Sequence, residues 1–314
     1  MQNKNLLAIL LLSALSVVYV VESLCPDLED TAPCKCKRIH GKTTLTCKNV
    51  TNVRVLEKVA KNSDGYRYDE VYIVESKLPH LPWIVLEEIR MTSLILKDLA
   101  LTQFYDDVPY TPDELKNIYL QNIRLKKDFS WKFLKYTKSL EFLYVEHVHI
   151  PVITTEFNEF VSPELKEVFF LYTDTKEIQI DAFRDFRYLD SVAVINNRLR
   201  KLQRSSFPKL FNGTKLNFQS NYLTEIKESF FTGMPNLKAV YFNGNQISRI
   251  YEPNDLAKLS HIEIIDFTGN PIKCDCYLEW VTNWKPKSLR GTCASPKQLR
   301  KKRLQNLTEE DFDC

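Results

Sequence analysis

Glycine is scarce in this chain, with seven in 314 residues, and none gathers into the Gly-rich loop that cradles a phosphate. No cysteine lies between Cys47 and Cys274, so all eight are committed to the two ends. After Val21 no stretch is apolar enough to span a bilayer, and no small-residue site followed by a hydrophobic tail suggests a lipid anchor. Excess charge of one sign is missing too. Lys and Arg number 43 against 40 Asp and Glu, a net of +3, which excludes a general attraction to nucleic acid. His147 and His149 are two apart with no cysteine or third histidine nearby, too few ligands for a metal site. Ser205-Ser206 and the scattered Asp, Glu and His residues form no catalytic triad. No enzymatic activity, cofactor or metal is expected.

What is present is a pattern that returns nine times. Apolar pairs separated by one residue occur at Val71/Ile73, Leu94/Leu96, Ile118/Leu120, Leu143/Val145, Val168/Phe170, Val192/Val194, Leu216/Phe218, Val240/Phe242 and Ile265/Phe267. Their spacing is 23, 24, 25, 25, 24, 24, 24 and 25 residues. A period in this range implies a stack of like units, each too small to bury its own apolar face. The alternation predicts a short strand with one face inward, and successive strands pairing in parallel. Around Leu189 the order Leu189, Val192, Val194, Asn197, Leu199, Leu202 and Phe207 follows L-x-x-L-x-L-x-x-N-x-L-x-x-L with a later Phe. Asn197, Asn221, Asn245 and Asn270 recur where the chain leaves the strand, and an amide there can satisfy turn backbone groups. Phe183, Phe207 and Phe231 share one interval of 24, consistent with an aromatic spine under the outer face. The first five units put Ser76, Leu99, Ile123, Val148 and Thr173 at the Asn position. The turn there is expected to be lined by side chains rather than by an amide ladder, neutral drift being the alternative.

These residues resemble the leucine-rich repeat family, and the resemblance covers 68–273. It implies an α/β solenoid, a horseshoe with a parallel sheet on the concave face, and irregular turns and short helices on the convex side. The ends carry the same likeness. Cys274-Asp275-Cys276 followed by Leu278, Trp280, Trp284, Cys293, Pro296, Leu299 and Cys314 resembles the C-terminal cysteine cap of extracellular members, here 274–314. Cys25-Pro26, Cys34-Lys35-Cys36 and Cys47 resemble the N-terminal cap, here 24–67. The family pairing implies Cys25–Cys36 and Cys34–Cys47 at one end, and Cys274–Cys293 and Cys276–Cys314 at the other. Trp280 and Trp284 suit one face of a short helix over the last repeat. Val53, Leu56, Val59 and Ala60 have helical spacing in the segment before the first repeat. That segment, with the N-terminal cysteines and Leu78-Pro79-His80-Leu81-Pro82, is similar to a group of secreted arthropod leucine-rich repeat proteins. The group includes the non-catalytic subunit of a deep-sea shrimp luciferase.

Residues 1–23 read as a secretory signal, with Lys4 ahead of the apolar run Leu6 to Val21, and Val21 and Ser23 suiting cleavage; a retained anchor is the alternative. An even cysteine count behind such a leader fits disulfides and an extracellular, secreted product. Sequons at Asn49, Asn212 and Asn306 fit the same compartment.

Between the inward pairs the chain presents Tyr72, Ile95, Tyr119, Tyr144, Phe169, Ala193, Asn217, Tyr241 and Asp266 to the concave face. Flanking positions add Phe142, Leu171 and Ile195, with Glu70, Lys97, Asn117, Gln121, Glu146 and Glu167, and Tyr172 at the edge. Tyr72, Ile95, Tyr119, Phe142, Tyr144, Phe169, Leu171 and Tyr241 are therefore the candidate surface for a protein or glycan partner. Self-association into a homodimer through that face, or stacking of the rings with no partner at all, are the alternatives. Arg300, Lys301, Lys302 and Arg303, with Lys285, Lys287, Arg290 and Lys297 nearby, offer a second candidate that reads as a glycan site, a solvated face or a processing site. The expected function is recognition, adhesion or scaffolding. A non-catalytic stabilising subunit of a secreted enzyme and a soluble receptor ectodomain are the other readings.

Overall fold

The structure, a computed structural model, describes residues 25–111, 113–253, 259–284 and 286–314; the leader expected over 1–23, and Lys285, lie outside them. The chain is a leucine-rich repeat solenoid. Its thirteen-stranded sheet begins with an antiparallel pair, Lys35–Ile39 against Lys42–Lys48. From Lys42–Lys48 onward every neighbour is parallel, through Arg67–Val74, Arg90–Leu101, Asn117–Leu125, Phe142–Val148, Glu167–Leu171 and Ser191–Ile195. Lys215–Asn217, Ala239–Tyr241, Ile264–Asp266 and Ser288–Arg290 complete the row, and short Lys77–Leu78 pairs with the end of Arg90–Leu101. The register equals the repeat: Val71 lies opposite Leu94, Leu94 opposite Ile118, and so on to Ile265. The sheet extends one rung past each end of the nine repeats, because Leu45 pairs with Val71 and Leu289 with Ile265. Both extra rungs belong to the cysteine caps, so each lid is hydrogen-bonded to the stack as well as laid over it.

The chain leaves each concave strand through one left-handed residue. Glu75, Asp98, Asn122, His147, Tyr172, Asn196, Ser220, Gly244 and Gly269 occupy this position with φ between 49° and 77°. Glycine is needed least for such a turn when a neighbouring ladder holds it, and only the last two rungs use it. Beyond that residue the two halves of the solenoid bond differently. In the later half, buried Asn221 accepts from Leu199 N–H at 3.1 Å and donates to the carbonyls of Val194 and Phe218 at 2.7 and 3.1 Å. Asn245 and Asn270 repeat this, and Asn197 accepts from the N–H groups of Thr173 and Thr175. In the earlier half Leu99, Ile123 and Val148 are buried, and no amide is required. The strand runs on past the turn, so Leu99 pairs with Ile123, and Ile123 with Val148, through backbone alone. This explains why Arg90–Leu101 has 12 residues where Lys215–Asn217 has 3.

Under the convex side an aromatic spine fills the core. Phe183 stacks on Phe207 at 5.6 Å, and Phe218, Phe242 and Phe267 stack in turn at 6.1 and 5.4 Å. One expectation needs correcting: Phe230, not Phe231, meets Phe207, at 6.3 Å, and Phe231 packs edge-on against Phe230 at 5.2 Å. The interval of 24 lands one residue off because the loop after Glu225–Ile226 delivers two adjacent buried rings, both satisfying the same apolar demand. Towards the N-terminus Phe157, Trp131, Phe129, Phe133 and Phe104 continue the spine.

Disulfides close both ends: Cys25–Cys36 and Cys34–Cys47, then Cys274–Cys293 and Cys276–Cys314. Helix Val53–Lys61 starts at Asn52, whose side chain accepts from Arg54 N–H at 3.0 Å, and buries Leu56, Val59 and Ala60. At the far end Cys276–Thr282 is a 3₁₀ helix, and the buried rings of Trp280 and Trp284 stack at 5.5 Å over the last repeat.

Candidate functional site

Strand register brings the central concave residues into one column: Thr46, Tyr72, Ile95, Tyr119, Tyr144, Phe169, Ala193, Asn217, Tyr241, Asp266 and Arg290. Three of its rings, Tyr119, Tyr144 and Phe169, meet Phe142 from the flanking column, so that four rings from three adjacent strands cluster. Tyr119 lies 5.2 Å from Phe142 and 6.1 Å from Tyr144. Phe169 lies 5.5 Å from Phe142 and 6.2 Å from Tyr144. All four pairs are tilted by 37° to 42°, a geometry that favours ring edges over quadrupole-opposed faces. Each ring is half-buried, covered by its neighbours on one side and open on the other. Leu171, paired across the sheet with Ile195, extends the apolar area to the next rung.

Two candidates do not join this cluster. Ile95 is only 8% exposed, since it sits in register between the larger Tyr72 and Tyr119 and cannot offer a partner much surface. Tyr241 is separated from Phe169 by Ala193 and Asn217, three rungs or about 14 Å away. It instead lies beneath Lys215, whose Nζ is 5.8 Å from the ring centroid.

A polar rim surrounds the rings. Tyr72 donates its hydroxyl to Glu70 at 2.9 Å, and Lys42 meets the same carboxylate at 2.6 Å. Desolvation, and then the Glu70 carboxylate, push the Tyr72 phenol up to about 12, so it stays a donor. Tyr144 is also raised, first by desolvation and then by Glu146. Gln121 donates to Glu146 at 3.1 Å and Asn117 to Ser93 at 3.0 Å. Just before the strands begin, Glu141 bridges Lys166 at 2.6 Å and Lys116 at 2.9 Å, and these bonds hold its carboxyl below the usual range. That three-residue ladder escaped notice in the sequence although Lys116, Glu141 and Lys166 alternate in charge at the repeat interval of 25.

Of the basic cluster in the C-terminal cap, Arg300, Lys301 and Arg303 are exposed, but Lys302 is not free. Its Nζ meets both oxygens of Asp311, at 2.5 and 2.7 Å, and closes the cap. Asn49, Asn212 and Asn306 are all exposed. His147 stacks on Tyr172 at 4.8 Å, and His149 meets Asp174 at 3.3 Å. Among the described residues no helix is long and apolar enough to cross a membrane.

The family model described as Leucine rich repeat matches residues 212–272. Mouse (Mus musculus) trophoblast glycoprotein is 26% identical over 137 residues, 41% of this chain and 32% of that protein. The chain spans less than a third of the length of the first curated relatives it matches. The crystal structure of human trophoblast glycoprotein superposes with a TM-score of 0.58 at 18% identity, over 94% of this chain and 100% of that one. The leucine-rich repeat chain of FLRT2, solved in an octameric complex with latrophilin 3 and Unc5D, gives 0.58 at 15% identity, over 90% of this chain and 98% of that one. The chain is thus similar in fold, along nearly its whole length, to solved leucine-rich repeat chains, and carries disulfides at both of its own ends.

Proposed function

We infer that the chain is a secreted, non-enzymatic binding protein that docks a protein partner on the concave patch built by Tyr119, Phe142, Tyr144 and Phe169, with Tyr72 and Leu171 at its margins. The observation that carries this reading is the four-ring cluster itself. It places half-open aromatic surface at the centre of a polar, internally paired rim, the composition of an interface core inside its rim. Rings needed only to brace neighbouring strands would contribute about 0.2–1 kcal/mol per pair and could as well be closed over. That FLRT2 was crystallised with two protein partners supports a protein rather than a small ligand for this fold. Glycans on Asn49, Asn212 and Asn306 would stand outside the central column, the first two beyond strand ends and the third on the short 3₁₀ helix Leu304–Asn306.

The arthropod resemblance of the N-terminal segment favours a second reading, in which the partner is a secreted catalytic polypeptide that this chain stabilises. One experiment addresses both. The full chain and a Tyr119→Ser, Tyr144→Ser, Phe169→Ser variant are used to capture partners from the medium of the source tissue. Exposed Tyr188, in the turn before the Ser191–Ile195 strand and outside the central column, is changed to Ser as a control. A polypeptide retained by the native chain and the control but lost from the triple variant is the expected outcome, and an enzymatic activity in the captured fraction selects the second reading. A well-folded triple variant that keeps its partner would remove the proposal.

A further inference from the structure

Beyond the concave face, the flank onto which the chain turns after each left-handed residue carries charge that the fold does not neutralise. We propose that Arg124, Lys126, Lys176, Arg198 and Arg200 on this flank bind an extended sulfated or carboxylated polysaccharide. Arg124 and Lys126 are two apart at the end of the Asn117–Leu125 strand and so share a face. Lys176 and Arg200, 24 apart, stand at the point equivalent to Lys126 two and three repeats on, with Pro151 there in the repeat between. All four are exposed and none has a carboxylate partner among the described residues. Arg198 meets Asp174 at 3.0 Å, but that carboxylate is shared with His149 at 3.3 Å. Asp128, Glu156 and Glu177 are the other acids close by, against which Lys127 adds a further cation, so the flank remains positive on a chain whose total is only +3.

The cations are laid out along the solenoid axis. From Arg124 to Arg198, and from Lys126 to Arg200, the distance is three rungs, about 14 Å at the usual strand spacing. A linear polymer with anionic groups at regular intervals matches such a strip of spaced cations. The surface is grooved to take a chain. A cleft of about 830 Å³, lined by Arg124, Lys126, His149 and Tyr172, adjoins a depression of about 600 Å³ lined by Tyr172, Arg198 and Tyr222. Tyr172 and Tyr222, 48% and 47% exposed, offer ring edges and hydroxyls to sugar rings between the charges. Single-stranded nucleic acid fits less well. Successive bases need successive open ring faces, whereas one face of Tyr172 is already covered by His147 at an interplanar angle of 9°.

The probe is a heparin oligosaccharide, its Kd measured for the full chain in about 0.15 M salt, where charges beyond roughly 8 Å are screened. The flank variant carries Arg124→Gln, Lys126→Gln, Lys176→Gln and Arg200→Gln. A variant of equal charge carries Lys297→Gln, Arg300→Gln, Lys301→Gln and Arg303→Gln in the cap. The flank variant should weaken binding at least about tenfold and the cap variant less than about twofold, because charge placement and not net charge sets the local potential. Thermal melting verifies both folds, and Lys126→Gln with Lys176→Gln serves if the fourfold variant melts early. Equal losses in the two variants, a loss confined to the cap variant, or no binding by the native chain would overturn the proposal. So would displacement of heparin by a single-stranded oligonucleotide of matched charge at the same concentration.

Discussion

Replacing Asn245 with Ala tests why the two halves of the solenoid differ. Its side chain is 5% exposed and makes three hydrogen bonds: Oδ1 accepts from Leu223 N–H at 3.1 Å, and Nδ2 donates to the carbonyls of Phe218 and Phe242 at 2.9 and 2.8 Å. Ala removes all three and leaves the Leu223 N–H without a partner, while the Phe218 and Phe242 carbonyls keep the bonds they accept from Asn221 and Asn270. At a net of about 1 kcal/mol per bond, with one desolvated donor left unpaired, the loss should be about 3–5 kcal/mol. That is a large part of the roughly 5–15 kcal/mol that holds an ordinary domain together. Urea unfolding followed by tryptophan fluorescence measures it. Ile123, at the matching place in the earlier half, is the comparison. Ile123→Ala should cost about 2–4 kcal/mol as a cavity. Ile123→Asn should cost more than Ile123→Ala, because the strand ladder already uses the carbonyls its amide would seek. If Asn245→Ala costs under about 1 kcal/mol, or Ile123→Asn is tolerated, the division into amide-held and ladder-held turns is refuted.

Two further outcomes concern the C-terminal cap. The Lys302 ammonium beside Asp311, and then the Thr308 N–H, hold the Asp311 carboxyl below its ordinary value. A depressed folded-state value stabilises above the unfolded value and is lost as pH falls through the folded one. Asp311→Asn should therefore lower the melting temperature at neutral pH, and the gap to the native chain should close below about pH 4, towards full protonation. A gap that persists well below that, in strong acid, would show that the pair is not the cause. Changing Cys276 and Cys314 together to Ser opens a link spanning 38 residues and should cost the cap about 4 kcal/mol. The released Trp280–Trp284 stack, now buried, should give a red-shifted emission before the repeats unfold, and unchanged emission would count against a separately melting lid.

The fold was almost wholly legible because one physical demand, an apolar pair turned inward at every rung, is written nine times with little variation. The rung at Leu289 was not, since its second inward place is held by Gly291, and a pattern built on two apolar residues passes over it. The Phe230-for-Phe231 exchange was hidden for another reason: two adjacent aromatics satisfy a periodic rule equally, and only the loop path chooses between them. Of the candidate surface, the column order followed from the repeat, but the burial of Ile95 and the isolation of Tyr241 did not. Both depend on the size of the neighbours across the sheet, which a single strand does not record. The charge of Lys302 was misplaced in the same way, because its partner Asp311 lies nine residues away beyond two turns.

The aromatic patch and the ladder-held turns occupy the same part of the molecule, and the coincidence has a mechanical basis. Tyr119, Phe142 and Tyr144 stand on strands of nine and seven residues that continue past the turn, the first paired with Arg90–Leu101 out to Leu125 and the second with the first out to Val148. Tyr241 stands on one of three. A ring that must keep its edge open to a partner cannot be fully braced by packing from above, so its position has to be set from below by the backbone. Long parallel strands supply that support, and apolar turns such as Leu99, Ile123 and Val148 are what allow the strands to run on. In the later half the Asn ladder ends each strand early, and apart from Tyr241 the concave column there is Asn217, Asp266 and Arg290, side chains that bond one another or the nearby backbone. The departure from the regular repeat at Leu99, Ile123 and Val148 is, on this reasoning, the structural condition for the rigid support of Tyr119, Phe142 and Tyr144, against which Phe169 packs from its five-residue strand.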